Sequence, residues 1–261
     1  MSSGPASLDL SQPLVLQRSL KRGWKSFNRT AGRFVIFMLI MEAINEPAVV
    51  LTGIASTPIE QSKWPAAAIW ICLALSWSLT LVIHWWMTLG LFRGAWLVLT
   101  GRQPRLADLL RWDGPSLRRW IAMWFVILGA LALVAVSTLV ITMAVSLVIP
   151  ALVPVPLLLG GLLMLMLLLS QLFCLPLVVM ERLPPLQAFR LGFKGLVHHP
   201  GSWLLLGLIQ VVPQLLILLS PVQDVGLVLS VRLVTMPLAM CILIAAYLDR
   251  LEAPRTSATN A

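Results

Sequence analysis

Pro184-Pro-Leu-Gln-Ala-Phe-Arg190-Leu-Gly-Phe-Lys-Gly-Leu-Val-His-His-Pro200-Gly-Ser-Trp203 is a short basic amphipathic segment that runs straight into a long apolar one. A helix of this form lies in the headgroup plane. Its apolar side faces the acyl chains and its cations face anionic lipid. It then hands the chain to a membrane span. This device occurs three times, and its recurrence decides the fold.

Composition sets the solvent. The chain is 59% hydrophobic and only 11% charged, with a mean hydropathy of +0.92. Soluble domains carry about 25% charged residues. A soluble core cannot absorb that much apolar surface, so lipid surrounds most of the 261 residues. The net charge of +9 sits in the short gaps between apolar runs, which is a topology signal and not a nucleic-acid face. Cys72, Cys174 and Cys241 are dispersed inside apolar runs. That excludes a disulfide framework and a zinc site. No signal peptide is expected, because a polar basic arm precedes the first apolar run.

The arm 1–12 and the tail 253–261 read as disordered, and 13–252 as one membrane domain. In residues 13–29, Leu16, Leu20, Trp24 and Phe27 recur at helical spacing against Arg18, Lys21, Arg22, Lys25 and Arg29. This predicts a first interfacial helix. Spans are expected at about 34–54, 66–91, 120–150, 157–180, 202–219 and 225–248. Between the second and third, Leu106, Leu109 and Leu110 form a brief stripe ended by Asp113-Gly114-Pro115. A shorter interfacial helix is predicted there. Pro176 predicts a kink in span four. The expected fold is all-α: a polytopic bundle of six spans arranged as three hairpins. Each hairpin follows a surface helix, in units 13–91, 92–180 and 181–250.

Six spans put both termini on one side. That side receives six basic residues from the N-terminal arm, six from the second connection, three from the fourth and two from the tail, hence 17 of 19. The opposite side receives Lys63, and Arg232 is intramembrane. The positive-inside rule therefore predicts a cytoplasmic membrane with both termini in the cytoplasm.

Residues 20–34 align with 189–203 at an offset of 169. Gly23 meets Gly192, Trp24 meets Phe193, Lys25 meets Lys194, Gly32 meets Gly201 and Phe34 meets Trp203. Arg118-Arg119-Trp120 fits less well, at offsets of 86 and 83. The spacing suggests three copies of one unit. The run Glu181-Arg-Leu-Pro184-Pro-Leu-Gln-Ala188-Phe-Arg190-Leu-Gly192-Phe193-Lys194, with Gly23-Trp24-Lys25-Ser-Phe27, resembles YciC-type inner-membrane proteins. It also resembles the membrane domain fused to some glycerophosphodiester phosphodiesterases. Gln187 and Gly192 depart from that pattern, which carries a second acid and a serine at those places. The resemblance implies a six-span bundle with interfacial helices in a prokaryotic inner membrane. The phosphodiesterase catalytic domain is absent, and its activity does not transfer.

Ionisable residues inside spans are the default functional candidates. Glu42 and Glu46 lie in span one, His84 in span two, Arg232 in span six, and Gln210 and Gln214 one turn apart in span five. Depth matches Glu46 to Arg232 and Glu42 to His84. The bland reading is a buried ion pair that fixes packing; the sharper one is a polar route through the bundle. His198-His199 has no acid or cysteine beside it, so metal binding is not expected. No P-loop, nucleophile elbow or dinucleotide fingerprint occurs. The expectation is a non-enzymatic membrane protein with no cofactor, metal or nucleic-acid partner. It binds anionic headgroups, a membrane-protein partner or a second copy of itself. The interface residues are Arg18, Lys21, Arg22, Trp24, Lys25, Arg190, Phe193 and Lys194. The alternative is a small transporter or channel built on the Glu/His/Arg cluster.

Overall fold

A computed structural model describes residues 16–55, 65–219 and 225–258, with side chains described for 16–54, 65, 67–212 and 229–250. Among the described residues the chain is helical and contains no strand. The helices are α1 (Leu16–Ala55), α2 (Ala66–Leu99), α3 (Leu106–Leu110), α4 (Gly114–Val148), α5 (Pro154–Ser170), α6 (Cys174–Val179), α7 (Pro185–His198), α8 (Pro200–Leu219) and α9 (Val225–Ala258). Five are long and apolar enough to cross a membrane, and a sixth follows if the bent pair α7–α8 counts as one span. The chain is a multi-pass helical membrane protein.

The first surface helix and the first span are not separate. α1 is one helix of 40 residues, about 60 Å long at ~1.5 Å per residue, twice the hydrocarbon thickness of about 30 Å. Nothing between Phe27 and Phe34 stops it. Gly32 stands alone there, and the Thr30 hydroxyl donates back to Ser26 O at 3.1 Å. The aligned segment behaves differently. Where α1 carries Ala31, the later segment carries Pro200. A proline drives the preceding residue out of helical geometry. His199 sits at φ −139°, ψ 63°, and the axis turns by 113° between α7 and α8. At this place the amphipathic helix is set at a sharp angle to the apolar helix after it, whereas at the start of the chain the two are one helix.

Other departures have similar causes. Asp113-Gly114-Pro115 opens α4 as well as ending α3, since proline is tolerated in a helix's first turn. Span four is broken, with α5 ending at Ser170 and α6 starting at Cys174. Pro176 has no N–H to bond the carbonyl four residues back. The break is stitched by side chains: Gln171 bonds Ser170, and the Cys174 thiol donates to Gln171 Oε1 at 2.7 Å.

Two compact units result. Of the described residues, one contains 16–23, 114–219 and 242–258; the other contains 24–55, 65–113 and 225–241. In the first, α4 and α5 form a hairpin in which Gly160 accepts close approach of Thr138; a Cβ there would collide with that side chain. α7 lays Ala188, Gly192, Gly195 and Leu196 against its neighbours. A Cβ at Gly192 would strike the Ser170 carbonyl oxygen. The end of α9 is tied three ways. Tyr247 OH donates to Glu181 at 3.0 Å. Asp249 accepts from Ser19 at 2.7 Å and Arg22 at 2.8 Å, with Arg18 at 3.6 Å. The buried Arg250 guanidinium stands 5.7 and 5.5 Å over Phe173 and Trp203. Those two rings meet edge to face, 4.7 Å between centres.

In the second unit, α1 buries Phe34, Phe37, Met38 and Met41. Gly90 and Gly94, one turn apart on α2, let Phe37, Phe34 and Leu109 approach closely. Arg93 clamps the α3 segment. It donates to the carbonyls of Asp108 (2.8 Å) and Arg111 (2.9 Å) and faces Asp113 at 3.7 Å.

Candidate functional site: an intramembrane triad and a basic surface

The buried stripe of α1 is Phe34, Phe37, Met38, Met41, Asn45 and Ala48, the spacing of one helix face. Glu42 lies at its edge, partly covered. Glu46 lies about 40° further round at ~100° per residue and is exposed. The expected Glu46–Arg232 pair therefore does not form. Arg232 of α9 meets Glu42 instead, Nη1 to Oε1 at 3.3 Å, with side chains 26% and 19% exposed.

The same guanidinium reaches α2. Arg232 Nη2 lies 2.6 Å from His84 Nε2, and His84 Nδ1 lies 3.0 Å from Thr80 O. A guanidinium only donates. Nε2 therefore accepts, and Nδ1–H donates to the Thr80 carbonyl. Arg232 thus faces Glu42 on one side as an ion pair and donates to His84 on the other, and His84 donates on to Thr80. These contacts do not use every polar atom. Glu42 Oε1 is near Arg232 but outside hydrogen-bond alignment, and the Oδ1 of Asn45, which is 5% exposed, has no partner. Thr235 Oγ1, one turn along α9 from Arg232, also has none.

Below Asn45, the Ser76 hydroxyl of α2 bonds the Ala48 carbonyl and the Thr52 hydroxyl. This fixes α2 against α1 just beyond Pro47. Gln210 is half-buried in the other unit and does not belong to the triad. The Gln214 side chain lies outside the described residues.

The basic residues divide into committed and uncommitted sets. Arg18 and Arg22 converge on Asp249, whose side chain is 7% exposed. They tie this part of α9 to the start of α1. Asp249 was the missed partner: lying beside Arg250 at the end of span six, it reads as a tail charge. Lys21 and Lys25 are exposed, and Trp24 is 54% exposed.

On α7, the stripe Ala188, Gly192, Gly195 and Leu196 faces the protein. Leu186 (53%), Phe193 (38%) and Val197 (60%) are exposed beside Arg190 and Lys194. The outward face is thus a mixed apolar and cationic surface. His198 Nδ1 bonds the Lys194 carbonyl at 2.8 Å.

No protein-family model, curated protein or solved structure matches this chain.

Proposed function

We propose that this multi-pass protein is a non-enzymatic component of the cytoplasmic membrane, with both termini in the cytoplasm, that engages anionic lipid headgroups through its basic surface helices. The observation that carries this reading is the outward face of α7. Three apolar side chains lie uncovered beside two cations on a helix set at 113° to the apolar helix that follows. Such a face suits neither bulk water nor acyl chains alone. It suits the boundary between them, where apolar groups enter the acyl layer and cations stay with phosphates. The segregation of 17 of 19 basic residues to one side supports a cytoplasmic location for that face.

The test is lipid selectivity. The wild type, reconstituted in nanodiscs of mixed phosphatidylglycerol and phosphatidylcholine, enriches phosphatidylglycerol around itself. Arg190→Gln/Lys194→Gln lowers that enrichment, as does raised salt. An enrichment untouched by both changes sinks the reading. Recovery of one stoichiometric protein partner, lost in the same variant, places a protein on this face instead.

A second reading has its own observation. The unaligned Glu42 Oε1 and the unpartnered Asn45 Oδ1 stand one turn apart beside Arg232 and His84. That arrangement suits a small transporter or channel with a polar route. Proteoliposome flux of wild type against Glu42→Gln tests it. Equal, background flux in both removes transport.

A further inference from the structure

A second basic feature lies in the unit formed by 24–55, 65–113 and 225–241. Arg29, Thr30, Val98, Gly101, Arg102 and Gln103 line a pocket where α1 passes the end of α2. Its floor is held by a defined helix stop. The Arg102 N–H donates to Leu97 O at 2.8 Å and the Gly101 N–H to Val98 O at 3.0 Å. This is the paired bonding of a Schellman cap. It needs a left-handed residue, and Gly101 supplies it at φ +85°. The next two residues are pinned from α1: Arg33 donates to the Pro104 carbonyl at 2.9 Å and to Gln103 Oε1 at 3.1 Å. The Arg33 bond orients the Gln103 amide and leaves its N–H2 free to donate.

On the rim Arg29, Arg102 and the Gln103 amide can donate, whereas Thr30, whose hydroxyl hydrogen is given to Ser26 O, can only accept. Arg29 and Arg102 are exposed and form no ion pair among the described residues, whereas Arg18, Arg22, Arg93 and Arg232 each face an acid. Lys25 lies one turn before Arg29 and is exposed too. A cation following the α2 C-terminus complements the helix dipole. That accounts for Arg102 but not for Arg29 converging on the same pocket from α1. The level is also informative. Val98 is at the end of the apolar run of α2, and Arg29 precedes the apolar start at Phe34 by little more than a turn. Both belong at headgroup depth.

We infer that the rim of this pocket, whose interior has room for about one water, binds the phosphate of an anionic phospholipid through the Arg29 and Arg102 guanidinium groups with Gln103 as a neutral donor. Two planar forks match the oxygens of a phosphate diester. The site rests on the proposed headgroup-binding function and narrows it from a surface to one lipid.

The test is native mass spectrometry of the full chain in detergent supplied with equal phosphatidylglycerol and phosphatidylcholine. Wild type retains one phosphatidylglycerol; the choline cation disfavours phosphatidylcholine at a site built of cations. Arg29→Gln/Arg102→Gln lowers that retained fraction about tenfold, the loss expected for removing charge-assisted bonds. Arg29→Lys/Arg102→Lys restores part of it. Both positions are exposed, so folding is preserved. Retention unchanged in the Gln pair overturns the site. If only Arg190→Gln/Lys194→Gln then reduces binding, the wider function survives; if neither pair does, both fail. Millimolar inorganic phosphate that strips the adduct as fully as the Gln pair overturns the lipid in favour of a soluble phosphate.

Discussion

Arg232 Nη2 lies 2.6 Å from His84 Nε2, and the other Nη of the same guanidinium faces Glu42 at 3.3 Å. One cation therefore ties α9 to both α1 and α2, and its removal strands a partly buried carboxylate. Arg232→Gln is expected to cost about 2–4 kcal/mol, somewhat below a fully buried pair. Glu42→Gln costs less, and the two couple by about 1–2 kcal/mol in a double-mutant cycle. Glu46→Gln is expected not to destabilise, because Glu46 is exposed on the outside of a span and away from the triad, where a neutral amide costs less than a carboxylate. Denaturant titration in micelles reads all four. A larger cost at Glu46 than at Glu42 contradicts the assigned pairing.

Ala31 and Pro200 occupy aligned places, and only the second ends a helix. Ala31→Pro is expected to destabilise by about 3 kcal/mol, since it deletes a bond inside a 40-residue helix. Pro200→Ala changes stability by less than about 1 kcal/mol, within the usual range for a site away from the core. The bend there is also held by Gly192 and Leu196 on the buried face of α7. Thermal unfolding of the two variants checks the asymmetry.

How far the sequence carries the structure is visible at these same residues. The all-α membrane class, the apolar runs and the two-faced helix α7 follow from composition and periodicity. The merging of the first surface helix with the first span does not. It turns on the absence of a breaker, and a lone Gly32 resembles one in a string of letters. The site was half legible. Glu42, His84 and Arg232 stood out as ionisable residues in apolar runs. Choosing Glu42 over Glu46 required knowing which side of α1 the stripe from Phe34 to Ala48 buries. Asp249 as the anchor of Arg18 and Arg22 was out of reach, because it links residues more than 220 positions apart.

Close approach at glycine separates two neighbouring substitutions in character. Gly192→Ala drives a Cβ into the Ser170 carbonyl, a backbone atom that cannot swing aside, and is expected to cost about 1–3 kcal/mol. Gly161→Ala meets nothing within 4 Å and gains about 0.5–1 kcal/mol from helix propensity. Opposite signs in melting temperature are the expected result.

The α9 terminus gives a further contrast. Asp249→Asn weakens charged bonds to Arg22 and Ser19 and is expected to cost about 1.5–3 kcal/mol. Tyr247→Phe removes one bond to Glu181 and costs about 0.5–1.5 kcal/mol. Equal, negligible effects in the unfolding curve contradict the assigned anchoring of α9.

The central claim is that the outward face of α7 lies at the headgroup boundary. The most direct measurement is the depth of a spin label at Phe193→Cys in the full chain in anionic bilayers. Cys72 is replaced by Ala, and Cys174 and Cys241 are already buried. Relaxation by oxygen is compared with relaxation by a water-soluble nickel chelate. The account predicts a label just inside the phosphate level, more accessible to oxygen than to the chelate, with a label at Lys194→Cys shallower. A label at Phe193→Cys as open to the chelate as one on a soluble loop would contradict it.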